Sequence, residues 1–215
     1  MRKTLILFAV LMATLTVKAQ HEEGDILIQP RVGITISNIT DGDKSKVNVT
    51  YGVEFERFFT DQFSLAAGVL FTNQGCKYDM YDPNVKLYSD SNHGNTHKYM
   101  TLNLYYGALP ITANYYVLPG LTLKAGIQPA FRVKAKIMYG DEKMDFDNMI
   151  ATMFPGNDVK MNTFDFSIPV GISYEYNRIT LDARYNFGLT KLISGSENAV
   201  HNKVFAITLG YKFGM

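Results

Sequence analysis

Few side chains in this sequence are of types that could do chemistry, and they are scattered. The histidines are His21, His93, His97 and His201, and Cys76 is the one cysteine. His93 and His97 stand four apart, a spacing that turns two rings toward one metal only on a helix. The segment Ser91-Asn92-His93-Gly94-Asn95-Thr96-His97 has a loop composition, so these rings read as solvated. Asp141, Glu142, Asp145, Asp147 and Asn148 could gather calcium or cations that bridge lipopolysaccharide, but they lack EF-hand spacing. An enzyme working on membrane lipid would set a histidine beside a serine or carboxylate. No histidine falls in a strand-like run, so no catalytic, cofactor or metal residue is assigned and a non-enzyme is expected.

The remaining chemistry is ionic, and its spacing is regular. In Leu121 to Ile137 every odd position is apolar, while the even positions include Lys124, Gln128, Arg132, Lys134 and Lys136. A period of two sends successive side chains to opposite faces of a strand. Seven further runs share the pattern, and together they set Arg31, Glu54, Glu56, Asp165, Glu175, Asp182, Arg184 and Lys212 on the same polar face. Cations and carboxylates mixed in this way can pair with one another. The net charge of +1 gives no electrostatic case for nucleic acid.

The elements that must position these charges follow from the rhythm of the runs. They begin near Ile26, Val49, Phe63, Leu102, Leu121, Phe164, Ile179 and Phe205, and their connections alternate long and short. Thr60-Asp61-Gln62, Leu118-Pro119-Gly120 and Asn177-Arg178 are tight turns, and the long loops include Cys76–Lys98 and Gly140–Asn162. An even number of strands with long loops at one end is the signature of an outer-membrane barrel. The fold class predicted is all-β, an eight-stranded antiparallel up-and-down transmembrane β-barrel. The fourth run changes phase, which predicts a β-bulge near Gly107-Ala108. Pro30, Pro110, Pro129 and Pro169 fall inside strands, where each removes a ladder hydrogen bond.

A soluble lipocalin-like barrel would turn its polar face outward. Here the polar face mixes glycines with charges of both signs, which suits a narrow interior. The apolar face carries aromatics near both ends of the strands, with Phe55, Phe59, Tyr115 and Tyr176 near the tight turns and Phe71 and Phe164 near the loops. Two such belts belong at two water interfaces. The amino terminus, Met1-Arg2-Lys3-Thr4 followed by an apolar stretch and Val17-Lys18-Ala19, reads as a signal peptide over residues 1–19. Residues 20–215 then form the barrel domain.

Leu109-Pro110-Ile111-Thr112-Ala113-Asn114-Tyr115-Tyr116, Phe164 to Glu175 and Leu209-Gly210-Tyr211-Lys212-Phe213 carry a resemblance over essentially the whole mature chain. The chain resembles the outer-membrane β-barrel domain family of Bacteroidetes-type bacteria, of the porin-family or PorT-like kind. That family is similar in architecture to OmpA-like and OmpX-like barrels and has no shared catalytic residues. The resemblance implies localisation in the cell outer membrane, with lipid and lipopolysaccharide as surroundings. The role expected is structural or surface-interactive, in a monomer whose ion-paired interior leaves no wide pore. A protein partner would meet loops Cys76–Lys98 and Gly140–Asn162. Two alternatives stay open: a PorT-like component of a secretion apparatus, and a barrel enzyme acting on lipid A.

Overall fold

The structure is a computed structural model that describes residues 21–40, 42, 44–79, 99–139, 142–153, 160–194 and 200–215. The expected signal peptide, His93, His97 and much of the long loops lie outside the described residues. The long strands are β1 (Ile26–Ile39), β2 (Lys44–Thr60), β3 (Phe63–Gln74), β5 (Tyr99–Ala108), β6 (Ile111–Leu118), β7 (Leu121–Tyr139), β10 (Phe164–Tyr176), β11 (Ile179–Gly188) and β13 (Asn202–Tyr211). Short strands β4 (Cys76–Asp79), β8 (Glu142–Asp145), β9 (Lys160–Met161), β12 (Ile193–Ser194) and β14 (Phe213–Gly214) accompany them, with one helix, α1 (Phe146–Met153). Segments read as irregular loops thus carry β4, β8, α1, β9 and β12. At the start of α1, the Asp145 carboxylate accepts from the backbone N–H of Asp147 at 3.1 Å and of Asn148 at 3.3 Å, satisfying donors that a helix leaves open.

Every pairing is antiparallel, and the ladder returns to its start. β1 pairs β2, β2 pairs β3, β3 pairs β5 and β6, and both of these pair β7. β7 then pairs β10, β10 pairs β11, β11 pairs β13, and β13 pairs β1. Closure leaves these strands without an open edge except at residues 46–49 of β2, on the side of β3. The alternation then sorts side chains by face. Val32, Val49, Leu181 and Leu209 stand more than half exposed on the outside, while Glu54, Glu56 and Asp182 are buried within. Phe55, Phe59, Tyr115 and Tyr176 are exposed toward the tight-turn end, and Phe71 and Phe164 toward the loop end.

The prolines sit where the ladder is already broken. β1 pairs β14 at Leu27 and Ile28 and β13 from Arg31 onward, and Pro30 falls in the gap. The strand split between β5 and β6 contains Pro110. Pro129 faces that split, between the pairs Ala108↔Ala130 and Ile111↔Ile127. Pro169 falls between Ser167↔Gln128 and Val170↔Ala125 in the β10–β7 ladder. The carbonyls nearby stay in use: Gly68 N–H donates to Pro110 O at 3.0 Å and Leu109 N–H to Pro129 O at 2.8 Å. Three imide nitrogens thus share one interrupted zone across three strands, so little further hydrogen bonding is lost.

Two expectations about phase are corrected. No bulge lies at Gly107-Ala108: Leu102, Leu104, Tyr106, Ala108, Thr112 and Asn114 all point inward in one phase. The bulge is on β7, where Tyr105 pairs Lys134 and Tyr106 pairs Arg132, leaving Val133 extra. An extra residue reverses the faces beyond it. Lys134 is therefore exposed and Lys136 only half-buried, while Ala135 and Ile137 turn inward. The interior near the loops is consequently apolar, built from Ile39, Leu70, Cys76, Leu104, Ile137, Met161 and their neighbours.

Asn177 and Arg178 both have positive φ, 47° and 68°, as a two-residue hairpin turn that matches strand twist requires. Glycine adopts that conformation freely, and a β-branched side chain does not. Arg178→Gly should therefore leave the protein more stable than Arg178→Val by roughly 1–2 kcal/mol, measured as urea midpoints in detergent micelles.

Candidate functional site in the barrel interior

Four cations and four carboxylates meet inside the barrel, each delivered by the inward phase of its strand. In the middle layer β1 supplies Arg31, β2 Glu54, β7 Lys124, and β11 both Asp182 and Arg184. Arg31 contacts Glu54 at 2.5 Å and Asp182 at 2.8 Å. Lys124 reaches Asp182 at 3.1 Å, and Arg184 reaches Glu54 at 3.1 Å and Asp182 at 3.5 Å. Arg31 also donates from Nη2 to Thr208 Oγ1 at 2.6 Å. Charges taken out of water cost several kcal/mol each unless paired at contact distance, and here each carboxylate touches more than one cation.

A second layer lies toward the tight turns. Lys212 contacts Glu56 and Glu175, each at 2.9 Å. Glu56 further accepts from Ser64 Oγ at 2.5 Å, Asn114 Nδ2 at 2.8 Å and the Tyr116 hydroxyl at 2.8 Å. That hydroxyl in turn accepts from Lys212 Nζ at 2.7 Å. Gln29, from β1, donates to Thr180 of β11. These hydroxyls and amides occupy carboxylate lone pairs that an ion pair alone leaves open.

The interior encloses little free space at this level. A void of about 20 Å³ is lined by Arg31, Thr35, Thr72, Asp182, Arg184 and Asn186, among others. That is room for about one water, given the roughly 10–15 Å³ needed. Toward the loops, Asn202 donates to Asp165 at 2.9 Å, and the apolar cluster follows.

Of the residues weighed as metal or catalytic candidates, Asp145, Asp147 and His201 have other occupations, and His93, His97 and Asp141 lie outside the described residues. Asp147 binds Arg132 through both carboxylate oxygens, at 2.7 and 3.1 Å, and Asp145 caps α1. His201 Nδ1 lies 3.0 Å from Thr190 O. Among the described residues no group of three or more His, Cys, Asp or Glu side chains is arranged to hold a metal ion. His21 is the residue that sequence reasoning missed. Its ring is mostly buried, 3.0 Å from Glu175 and 4.6 Å from the Phe58 ring. Its place among the residues before β1 gave no sign of this, because Glu175 lies 154 positions away.

A closed antiparallel barrel with an apolar outside and an ionic inside defines an outer-membrane β-barrel protein. The chain belongs to the outer membrane protein beta-barrel domain family, whose model matches residues 18–194, and its place is the outer membrane. Among solved structures it is similar in fold to Neisserial surface protein A, at 14% identity and a TM-score of 0.51 over 89% of this chain and 100% of that one. Ail of Yersinia pestis matches at 14% identity, TM-score 0.49, over 89% and 99% of the two chains. OprG of Pseudomonas aeruginosa matches at 14% identity, TM-score 0.46, over 92% and 99%. No curated protein matches the chain.

Glu54 joins two guanidinium groups, so removing its charge should cost more than removing either partner's share. Glu54→Gln is expected to destabilise the barrel by roughly 3–5 kcal/mol, the scale of an uncompensated buried charge. Glu54→Met combined with Arg31→Met should recover part of that loss. Urea unfolding followed by heat-modifiable gel mobility checks both.

Proposed function

We propose that this protein is a monomeric, non-catalytic outer-membrane barrel of eight transmembrane strands, with β5 and β6 acting as one interrupted strand. Its long loops face the cell exterior, and its role is structural or one of surface interaction. The observation that carries the reading is the packing of the interior: four cations and four carboxylates contact one another in two layers, and Arg31, Asp182 and Arg184 of the middle layer border a void of only about 20 Å³. A barrel of about eight strands has an interior just wide enough for side chains to fill. Such a barrel anchors loops at the surface and conducts poorly, so function concentrates in the loops it holds.

Lipid and lipopolysaccharide surround the apolar outside, and a protein partner would meet the loops that include β4, β8 and α1. Purified protein in a planar lipid bilayer should give no stable openings of large conductance, and such openings would overturn the filled-interior reading. Deleting residues 142–153 should leave folding intact, read by heat-modifiable mobility. The same deletion should reduce adhesion or envelope integrity in cells; unchanged phenotypes would reject the surface role.

A further inference from the structure

The wall of the barrel is incomplete on one side, near the loop end. The β2–β3 ladder stops at the pair Thr50↔Thr72, and β2 finds a partner on that side again only at Ser45↔Cys76. Between these points Lys46 to Val49 have no strand partner on that edge among the described residues. β3 turns inward instead: Thr35 Oγ1 donates to Asn73 O at 3.1 Å and Ser37 Oγ to Gly75 O at 2.9 Å, both from the inner face of β1. On the far side of the gap the β7 bulge pushes Val133 outward, 74% exposed.

The result is an open groove of about 480 Å³, within the roughly 300–1,000 Å³ usual for small-ligand sites. Val49, Tyr51, Phe71, Tyr105 and Val133 form its apolar rim, and all are exposed on the outside of the barrel. The groove therefore continues the surface that meets membrane. Thr72 lines its floor and also lines the interior void. The Thr72 hydroxyl and the Asn73 side-chain oxygen are buried without a hydrogen-bond partner, and Thr72 is 8% exposed. A buried polar group left unsatisfied costs about 1–3 kcal/mol, so both atoms favour a ligand that supplies a partner. Among the described residues no charged side chain lines the groove, which disfavours a carboxylate or phosphate in contact with it.

We propose that the groove seats one acyl chain of a membrane lipid, entering sideways through the wall, with its uncharged ester or amide linkage at Thr72 and Asn73. A surrounding lipid fits better than a free fatty acid, whose carboxylate would have no cation to meet there. The inference rests on the reading that the apolar outside faces lipid.

The test uses the full-length protein folded in dodecyl maltoside, titrated with dioleoyl phosphatidylethanolamine and read by native mass spectrometry. The unmodified protein should retain one lipid. Val133→Trp, which fills the groove, should weaken that retention by about tenfold or more. Leu181→Trp, on β11 away from the groove and also exposed on the apolar outside, should retain lipid as the unmodified protein does. Equal retention by all three proteins, or no discrete retained lipid, overturns the proposal. Retention that arises only after residues 80–98 are deleted also overturns it, since that segment is then the occupant. Heat-modifiable gel mobility keeps this result separate from the barrel reading, because a chain that forms no barrel in micelles gives no shifted band.

Discussion

Charge is tolerable inside a narrow barrel only when its counter-charge lies at contact distance, and the contact between Arg31 and Glu54 at 2.5 Å shows how that condition is met. Neither residue is satisfied by its neighbour alone. Glu54 also serves Arg184, and Asp182 serves Arg31, Lys124 and Arg184. Arg31 and Glu54 lie on the adjoining strands β1 and β2, but Lys124 comes from β7 and Asp182 and Arg184 from β11, so the network is complete only when the ladder has closed. Removal from water and closure of the wall are thus coupled, because the pairs Arg31–Asp182, Lys124–Asp182 and Arg184–Glu54 join strands far apart along the chain.

The same closure has to absorb four prolines and a bulge. Pro110, Pro129 and Pro169 gather in one interrupted zone across β6, β7 and β10, while Pro30 takes the gap between β13 and β14. Above that zone the extra residue Val133 reverses β7, so the interior changes character. Below it the inside is ionic; above it Leu104, Tyr106, Ala135 and Ile137 make an apolar core. The cations at that height are engaged elsewhere, Lys46 with the Asn103 side chain and Arg132 with Asp147. The extra residue contributes to this division by turning Ala135 and Ile137 inward, and the lateral groove lies beside it.

The alternation of residues is local information, and it was enough for the long strands, the tight turns and the two faces away from β5 and the end of β7. Glu54 beside Phe55, or Asp182 beside Leu181, needs no distant contact to declare which neighbour is buried with charges, because a pleat sends adjacent side chains apart. The family resemblance carried by Leu109–Tyr116 and Phe164–Glu175 has the same origin, since it lies in strand pattern and not in a reactive group.

Tertiary structure decided what depends on register. Lys134 and Lys136 share the spacing of Lys124, yet they leave the interior because β5 pairs across a bulge at Tyr105 and Tyr106. Leu102 and Leu104 look like outward residues in the sequence, and they point inward because the strand keeps its phase through Pro110. Nothing in the sequence joins His21 to Glu175, and the closed barrel sets their side chains 3.0 Å apart. A period of two names two faces of a strand, but which partner and which register each face meets is fixed only when remote strands close the ladder.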